Sequence, residues 1–360
     1  MFALILSATT ISVGPQVMAA ERCVLPEGEL SISELPSGSS AIECDAIGRM
    51  VAYGNTGVTV PQPGMTVEVD SLTVSGEIDG FALSVSKDGI VSYGLGEENT
   101  ESTVGGSDVP DDLSGTVTTP GDKTEESDSD GADESDIPQE GDVPVLTEDD
   151  FHTTALSACW DGAYKHKGWA EYGTYNWYIG DGGMPGALSR TQAMWAFTES
   201  IHNIVNPNVC GYNDGVDAWS KYKGTTTYEA DINTSGKCTD RDGKSTWDAG
   251  NLPSGTLAVT CSFSASLPPG MKDDLTEADV RFNTQDYNFT NNPTSSCRNK
   301  FDIRSVGTHE AGHAFGLGHV TGRDHENLTM QPYVGSCETQ SRSLGKGDIL
   351  GLKKIYTDIH

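Results

Sequence analysis

Alternation of apolar and polar residues dominates the early part of the chain. Thr66-Val67-Glu68-Val69, Phe81-Ala82-Leu83-Ser84-Val85 and Ile90-Val91-Ser92-Tyr93 set apolar side chains two residues apart, the period of a half-buried strand. Pro63-Gly64 and Asp79-Gly80 punctuate these runs as turns, so residues 21–98 predict a small all-β module. Further along, Tyr175-Asn176-Trp177-Tyr178-Ile179 predicts a strand, with others expected at Tyr228 to Ile232, Thr256 to Phe263 and Ala278 to Asn283. The period changes after Ser189-Arg190-Thr191-Gln192, which has capping-box form. Met194, Phe197, Ile201, Ile204 and Val205 then recur at helical spacing, predicting a long amphipathic helix whose stripe is core. Residues 99–149 follow neither period. Rich in Asp, Glu, Ser, Gly, Thr and Pro, they bury too little apolar surface to order themselves, and an acidic disordered tether is expected.

Charge sharpens this division. The chain has 360 residues and a formal charge of −31, but Glu97 to Asp150 hold 19 acidic residues against Lys123 alone. Residues 151–360 hold 23 acidic and 18 basic residues, so the acidity belongs to the tether and says little about a substrate. No basic stripe for nucleic acid is present. Met1 to Ile11 is mostly apolar, and Val17-Met18-Ala19 offers small residues for cleavage near Ala20, so residues 1–20 read as an export signal. No Lys or Arg precedes Arg22, which suggests that the true start lies upstream. No later segment approaches 18 continuous apolar residues, so no membrane span is expected. The eight cysteines form no C-x-x-C pair, which argues against a cysteine zinc site or a redox motif. An even number in an exported chain predicts disulfides. Cys23–Cys44 is the natural pair in the first module. Among Cys159, Cys210, Cys238, Cys261, Cys297 and Cys337 the pairing stays open, with Cys238–Cys261 and Cys297–Cys337 mildly preferred.

The candidate chemistry lies near the C-terminus. His309-Glu310-Ala311-Gly312-His313-Ala314-Phe315-Gly316-Leu317-Gly318-His319 fits H-E-x-x-H-x-x-G-x-x-H. On a helix, His309 and His313 stand one turn apart on one face and can share an ion. Gly316 lets the backbone leave the helix at positive φ and present His319. Three neutral nitrogens leave a fourth tetrahedral position open, as in a catalytic Zn²⁺ site. Glu310 can then touch a water without binding the metal and act as general base.

This stretch resembles the zinc signature of the metzincin peptidases, and Phe301-Asp302-Ile303-Arg304-Ser305-Val306-Gly307-Thr308 resembles the lead-in helix of their matrixin branch. Leu328-Thr329-Met330-Gln331-Pro332-Tyr333 is similar to the methionine turn beneath the metal, with Met330 as its methionine, and Leu344 to Tyr356 resembles the closing helix. Leu252 to Cys261 resembles the matrixin edge strand that borders the cleft. The resemblance implies that Leu257, Ala258 and Val259 pair with an extended substrate, and it assigns Tyr333 to substrate contact or structure. Matrixins also carry a histidine- and aspartate-rich loop for structural zinc and calcium. Asp240-Arg241-Asp242-Gly243-Lys244-Ser245 occupies that region without histidine, so a second zinc is not expected, and Ca²⁺ at Asp240 and Asp242 is weaker than a plain turn. Arg22-Cys23-Val24-Leu25-Pro26 is only faintly similar to the matrixin latency segment, and Cys44 offers Cys23 a partner. His325 reads as a solvated side chain in a polar loop.

The expected fold is α+β. A zincin-like peptidase domain at 150–360, with a mixed twisted sheet, zinc helix and closing helix, follows an all-β accessory domain at 21–98 and the tether at 99–149. The expected function is a secreted zinc endopeptidase, monomeric, extracellular or held at a cell surface, acting on proteins or peptides. The alternative is an adhesion or binding protein whose zinc domain is catalytically idle.

Overall fold

The computed structural model describes residues 23–77, 79–95, 158–212 and 215–357. The expected export signal and tether lie outside the described residues. The N-terminal part is all-β, beginning with β1 (Leu30–Ser31), β2 (Met50–Tyr53) and β3 (Thr56–Thr59), which form a small sheet in that order. β4 (Met65–Thr73), β5 (Asp79–Val85) and β6 (Val91–Leu95) follow as antiparallel neighbours. These match the three alternating runs. The turn before β5 comes earlier than Asp79-Gly80, because Asp79 and Gly80 pair with Ser71 and Asp70, and the chain reverses around Gly76 at φ 74°.

The second part continues with β7 (Lys165–His166), β8 (Trp169–Ala170), β9 (Thr174–Ile179) and helix α1 (Arg190–Val205). The α1 capping box forms as the sequence requires: the Ser189 hydroxyl accepts from Gln192 N, and Gln192 accepts from Ser189 N. Then come β10 (Trp219–Thr225), β11 (Ser245–Gly250), β12 (Thr256–Ala265), β13 (Asp273–Asn283), β14 (Phe289–Thr290) and β15 (Phe301–Asp302). Helix α2 (Ile303–Ala314), β16 (Leu317–Gly318) and helix α3 (Lys346–Tyr356) complete the chain. Tyr228 to Ile232 is not a strand, contrary to its alternation. Its backbone is held by side chains and one isolated bridge from Ile232 to Cys238 instead of a ladder: Ala230 N donates to Asp248 Oδ2 at 2.8 Å, and the Ile232 carbonyl accepts from Arg281 Nη1 at 2.5 Å. The buried pair Ala230 and Ile232 anchors a loop.

One mixed sheet runs through both parts in the order β10-β9-β11-β13-β12-β4-β5-β6, with β8 pairing β13 off this path. The first four strands are parallel to one another, and from β13 onward every neighbour is antiparallel. Helix α1 packs on the parallel half and helix α2 beside it chiefly on β12, and Phe197, Ile201, Ile204, Trp247, Phe282, Ile303 and Val306 share one core. Gly307 is the point of closest approach, since a Cβ there would stand 2.6 Å from Ser200 Oγ. A second core lies on the other half. It joins Val58, Val67, Val69, Phe81 and Leu83 of the N-terminal part to Ile232, Leu252, Val259, Cys261 and Phe263 of the later part. Four disulfides brace the fold: Cys23–Cys44, Cys159–Cys210, Cys238–Cys261 and Cys297–Cys337. Both preferred pairs are present, and Cys159–Cys210 takes the two remaining thiols. None of the four links the N-terminal part to the rest.

Candidate metal centre and active site

Helix α2 begins where Asp302 accepts from Ser305 N at 2.8 Å, a cap that Arg342 clamps through contacts of 2.7 and 2.8 Å. The helix is buried along its whole length, so its polar residues need defined partners. It ends at Ala314, and Gly316 at φ 90° turns the chain back, as the pattern predicts. A side chain at Gly316 would also meet the Trp169 carbonyl at 3.1 Å. This reversal brings His319 to His309 and His313.

The three imidazoles converge. Their Nε2 atoms stand 3.0 to 3.1 Å apart. These contacts are not hydrogen bonds between rings. His309 Nδ1 lies 2.8 Å from the Thr329 carbonyl and His313 Nδ1 lies 3.0 Å from the Leu317 carbonyl, so these two rings donate from Nδ1 and leave Nε2 as a bare lone pair. Burial pulls the His309 ring down to about 4. Burial, then repulsion from neighbouring rings, holds His313 and His319 well below the ordinary histidine value. Three neutral nitrogens aimed at one point form a repulsive group that a shared cation relieves. Their spacing suits zinc–nitrogen bonds of about 2.0–2.1 Å, and the all-imidazole set is a zinc donor set.

Glu310 sits beside this point with its two oxygens differently placed. Oε2 accepts from the Thr260 hydroxyl at 2.5 Å, whereas the buried Oε1 has no partner. Burial pushes the carboxyl up to about 8 against the Thr260 hydrogen bond, and the nearby Asp70 charge adds to the rise. Thr260 lies on β12, fifty residues from Glu310, and nothing in the sequence marks it. Met330 packs beneath the helix: a Cβ on Gly312 would stand 2.3 Å from Met330 Sδ, so the small residue between the two ligand-type histidines makes room for the methionine. Asp348, at the start of α3, fixes this turn by accepting from Thr329 N at 2.9 Å, Met330 N at 3.3 Å and Gly345 N at 2.8 Å. The Thr329 carbonyl then aims His309. Asp348 is a second contributor that the motif does not reveal.

Other expected residues lie elsewhere or in altered surroundings. Leu257, Ala258 and Val259 are fully buried, and the open edge expected of β12 is not open: β4 pairs with it from Thr256 to Ala265. Tyr333 is exposed at the surface. His325 contacts Asp161 Oδ2 at 2.8 Å, away from the triad. Asp242 joins Asp231 and Glu277, whose carboxylate oxygens lie within 4.8 Å of one another, but Asp240 is not in this group.

A mixed sheet backed by two long helices, with a buried triad of imidazoles under a sharp turn, defines a zincin-type metallopeptidase domain. Residues 221–357 match the profile of the matrixin peptidases. This part of the chain is therefore a matrixin-like metzincin domain. The chain matches no curated protein. No helix among the described residues is long and apolar enough to cross a membrane.

Proposed function

We propose that the chain is an exported zinc-dependent endopeptidase in which His309, His313 and His319 hold the metal and Glu310 is the general base. The observation that carries this reading is the convergence of three Nε2 atoms, 3.0 to 3.1 Å apart, beside the unpartnered Oε1 of Glu310. Zinc, when bound, supplies a Lewis acid that acidifies water and polarises a carbonyl. Glu310 Oε1 takes a proton from the water that attacks the scissile carbonyl and passes it to the leaving amine. Thr260 keeps the carboxylate turned so that Oε1 faces the reacting water. The Thr329 carbonyl holds His309 in its tautomer and orientation, and Met330 packs against Gly312 beneath the helix. Leu257, Ala258 and Val259 offer backbone groups to an extended peptide only where β4 has left the edge of β12, and Tyr333 borders the path of that peptide.

Export is supported by the apolar start of the chain and four disulfides. The domain reading keeps residues 21–98 as accessory, 99–149 as tether and 150–360 as peptidase, with the protein monomeric and extracellular. For calcium the candidate group becomes Asp231, Asp242 and Glu277, and the mechanism has no need of it. One observation favours the alternative of a catalytically idle binding protein: His309, His313 and Glu310 have no exposed surface. Glu310→Gln separates the two readings. Zinc content should be unchanged while peptide hydrolysis falls by ~10²–10⁴-fold, the worth of a positioned base. Parental turnover in the zinc-bound variant removes Glu310 from this role, and an inert parent with full zinc supports the idle reading.

A further inference from the structure

The edge of β12 that a substrate would need is already taken. β4 lies antiparallel along it, from Thr73 opposite Thr256 to Met65 opposite Ala265. The outward backbone donors and acceptors of β12, the groups an extended peptide would pair with, are thereby satisfied. The register sets Asp70 opposite Thr260, the residue that holds Glu310, and Glu68 opposite Ser262. Both carboxylates reach Lys167: its ammonium lies 2.9 and 3.1 Å from the oxygens of Asp70 and also bonds Glu68. Asp70 Oδ1 stands 3.9 Å from His313 Nδ1. The consequence is burial of the metal centre, where only His319 retains any exposure, at 6%. A cleft of about 240 Å³ does reach His319, but Thr66, Glu68 and Asp70 of β4 and Ala82 of β5 form one side of it, opposite Lys165, Lys167 and Trp169.

We infer that residues 65–73 are an internal substrate-mimicking strand that holds the metal centre shut, and that an extended polypeptide takes their place on β12 when they leave. This rests on the peptidase reading above, whose active site it regulates. Three features make the cover removable. No disulfide crosses the seam, since Cys23–Cys44 closes within the N-terminal part and the other three close within the later one. On the face toward the metal the seam is ionic, with Lys167 against Glu68 and Asp70. It is also imperfectly satisfied, because Ser262 Oγ, opposite Glu68, is buried without a partner. On the other face, Val67 and Val69 pack with Cys261 and Phe263, so the covered state is the resting one. The device is a strand and not a thiol, because Cys23 is bonded to Cys44.

The test uses the zinc-loaded full chain, with hydrogen exchange by mass spectrometry and hydrolysis of a fluorogenic peptide as separate readouts. Lys167→Ala removes the counter-charge of two buried carboxylates; Glu68→Gln is the milder variant should that one fold poorly. Both should exchange faster at 65–73 and 256–265 together and cleave several-fold faster than the parent. The pair Thr66→Cys with Ser264→Cys, which face each other across the seam, should pin β4 once oxidised. The pinned protein should keep its zinc and lose about tenfold or more of the parental rate, as a shift of that size toward the covered state requires. A pinned protein that cleaves at the parental rate overturns the inference, as do folded loosening variants with unchanged exchange. If exchange rises at both segments but no form cleaves peptide with zinc bound, the strand release stands and the peptidase reading falls.

Discussion

Among the described residues two clusters of ligand-type side chains stand out, and they are electrically opposite. In the histidine cluster, three neutral imidazoles turn their Nε2 atoms toward one another, and His309 and His313 spend their N–H on backbone carbonyls. In the carboxylate cluster the acceptors are already served: Asp231 Oδ2 accepts from Asp242 N at 2.8 Å, and the two oxygens of Glu277 accept from Asp242 N at 3.1 Å and Gly243 N at 2.6 Å. Burial, then a hydrogen bond with Glu277, pushes Asp231 up to about 8, which favours the protonated carboxyl in this cluster. Proximity of ligand atoms is common to both. What separates them is whether the surrounding chain has left the lone pairs unanswered. An unanswered set calls for a cation, and a set answered by amides and a proton does not.

The largest effect should follow from removing the metal. Phenanthroline, or His313→Ala, should abolish hydrolysis and lower the melting temperature. A site filled at about a thousand times its Kd adds about 4 kcal/mol, worth on the order of 10 °C for a domain of this size. The same treatment should leave the carboxylate cluster, measured by its pH response, unaltered. Melting curves with and without chelator decide this. A midpoint indifferent to chelation would mean that the histidine lone pairs are relieved by something other than a metal, and the comparison would fail.

A smaller effect should come from Thr260. Thr260→Val keeps the shape of the side chain and removes the hydroxyl that bonds Glu310 Oε2. That bond favours the charged carboxylate, so its loss raises the Glu310 pKa further, and the acid limb of the activity profile should move to higher pH. Peptide hydrolysis near neutral pH should fall by about tenfold, the equivalent of one modest hydrogen bond at about 1.4 kcal/mol, with zinc retained. Thr260→Ser should restore both rate and limb. A purely structural role for Thr260 predicts a lower rate with an unmoved limb, which the pH profile would reveal.

The different origins of these features explain what the sequence made legible. His309, Glu310, His313 and His319 fall within eleven positions, and helical spacing plus the φ 90° turn at Gly316 fixes their geometry locally. The capping box at Ser189 and the strands at Thr174–Ile179 and Thr256–Ala265 are equally local and were readable. Thr260, Asp348 and Lys167 act across distances in sequence that no period encodes, and each is an ordinary residue type in an ordinary setting. The pairing of β4 with β12 was hidden for a related reason. An alternating strand announces that it has one apolar face, but not which edge will accept it, and Val67 and Val69 could equally have packed within a separate module. The loop at Tyr228 to Ile232 misled in the same way, since two buried side chains at alternate positions imitate a strand.

The smallest effect tests the carboxylate cluster itself. The ordinary aspartate value is 3.8 and the folded value of Asp231 is about 8, so the folded state binds the extra proton between these limits. The sign follows from linkage: the stabilising contribution is complete below about pH 4, declines as pH rises, and is gone once pH passes the folded value of about 8. Asp279 adds to the crowding, for it is buried, one of its oxygens has no partner, and burial with repulsion from Glu277 holds it well above its ordinary value. Asp231→Asn should therefore melt close to the parent at pH 5 and progressively higher than the parent toward pH 9, by a few degrees at most because Asp231 is only partly buried. Calcium sharpens the contrast between the clusters. If amides and a proton suffice, millimolar calcium leaves the parental pH slope in place. If calcium flattens that slope in the parent and has no effect on Asp231→Asn, the carboxylate cluster is a cation site after all, and served lone pairs are no guarantee against a metal.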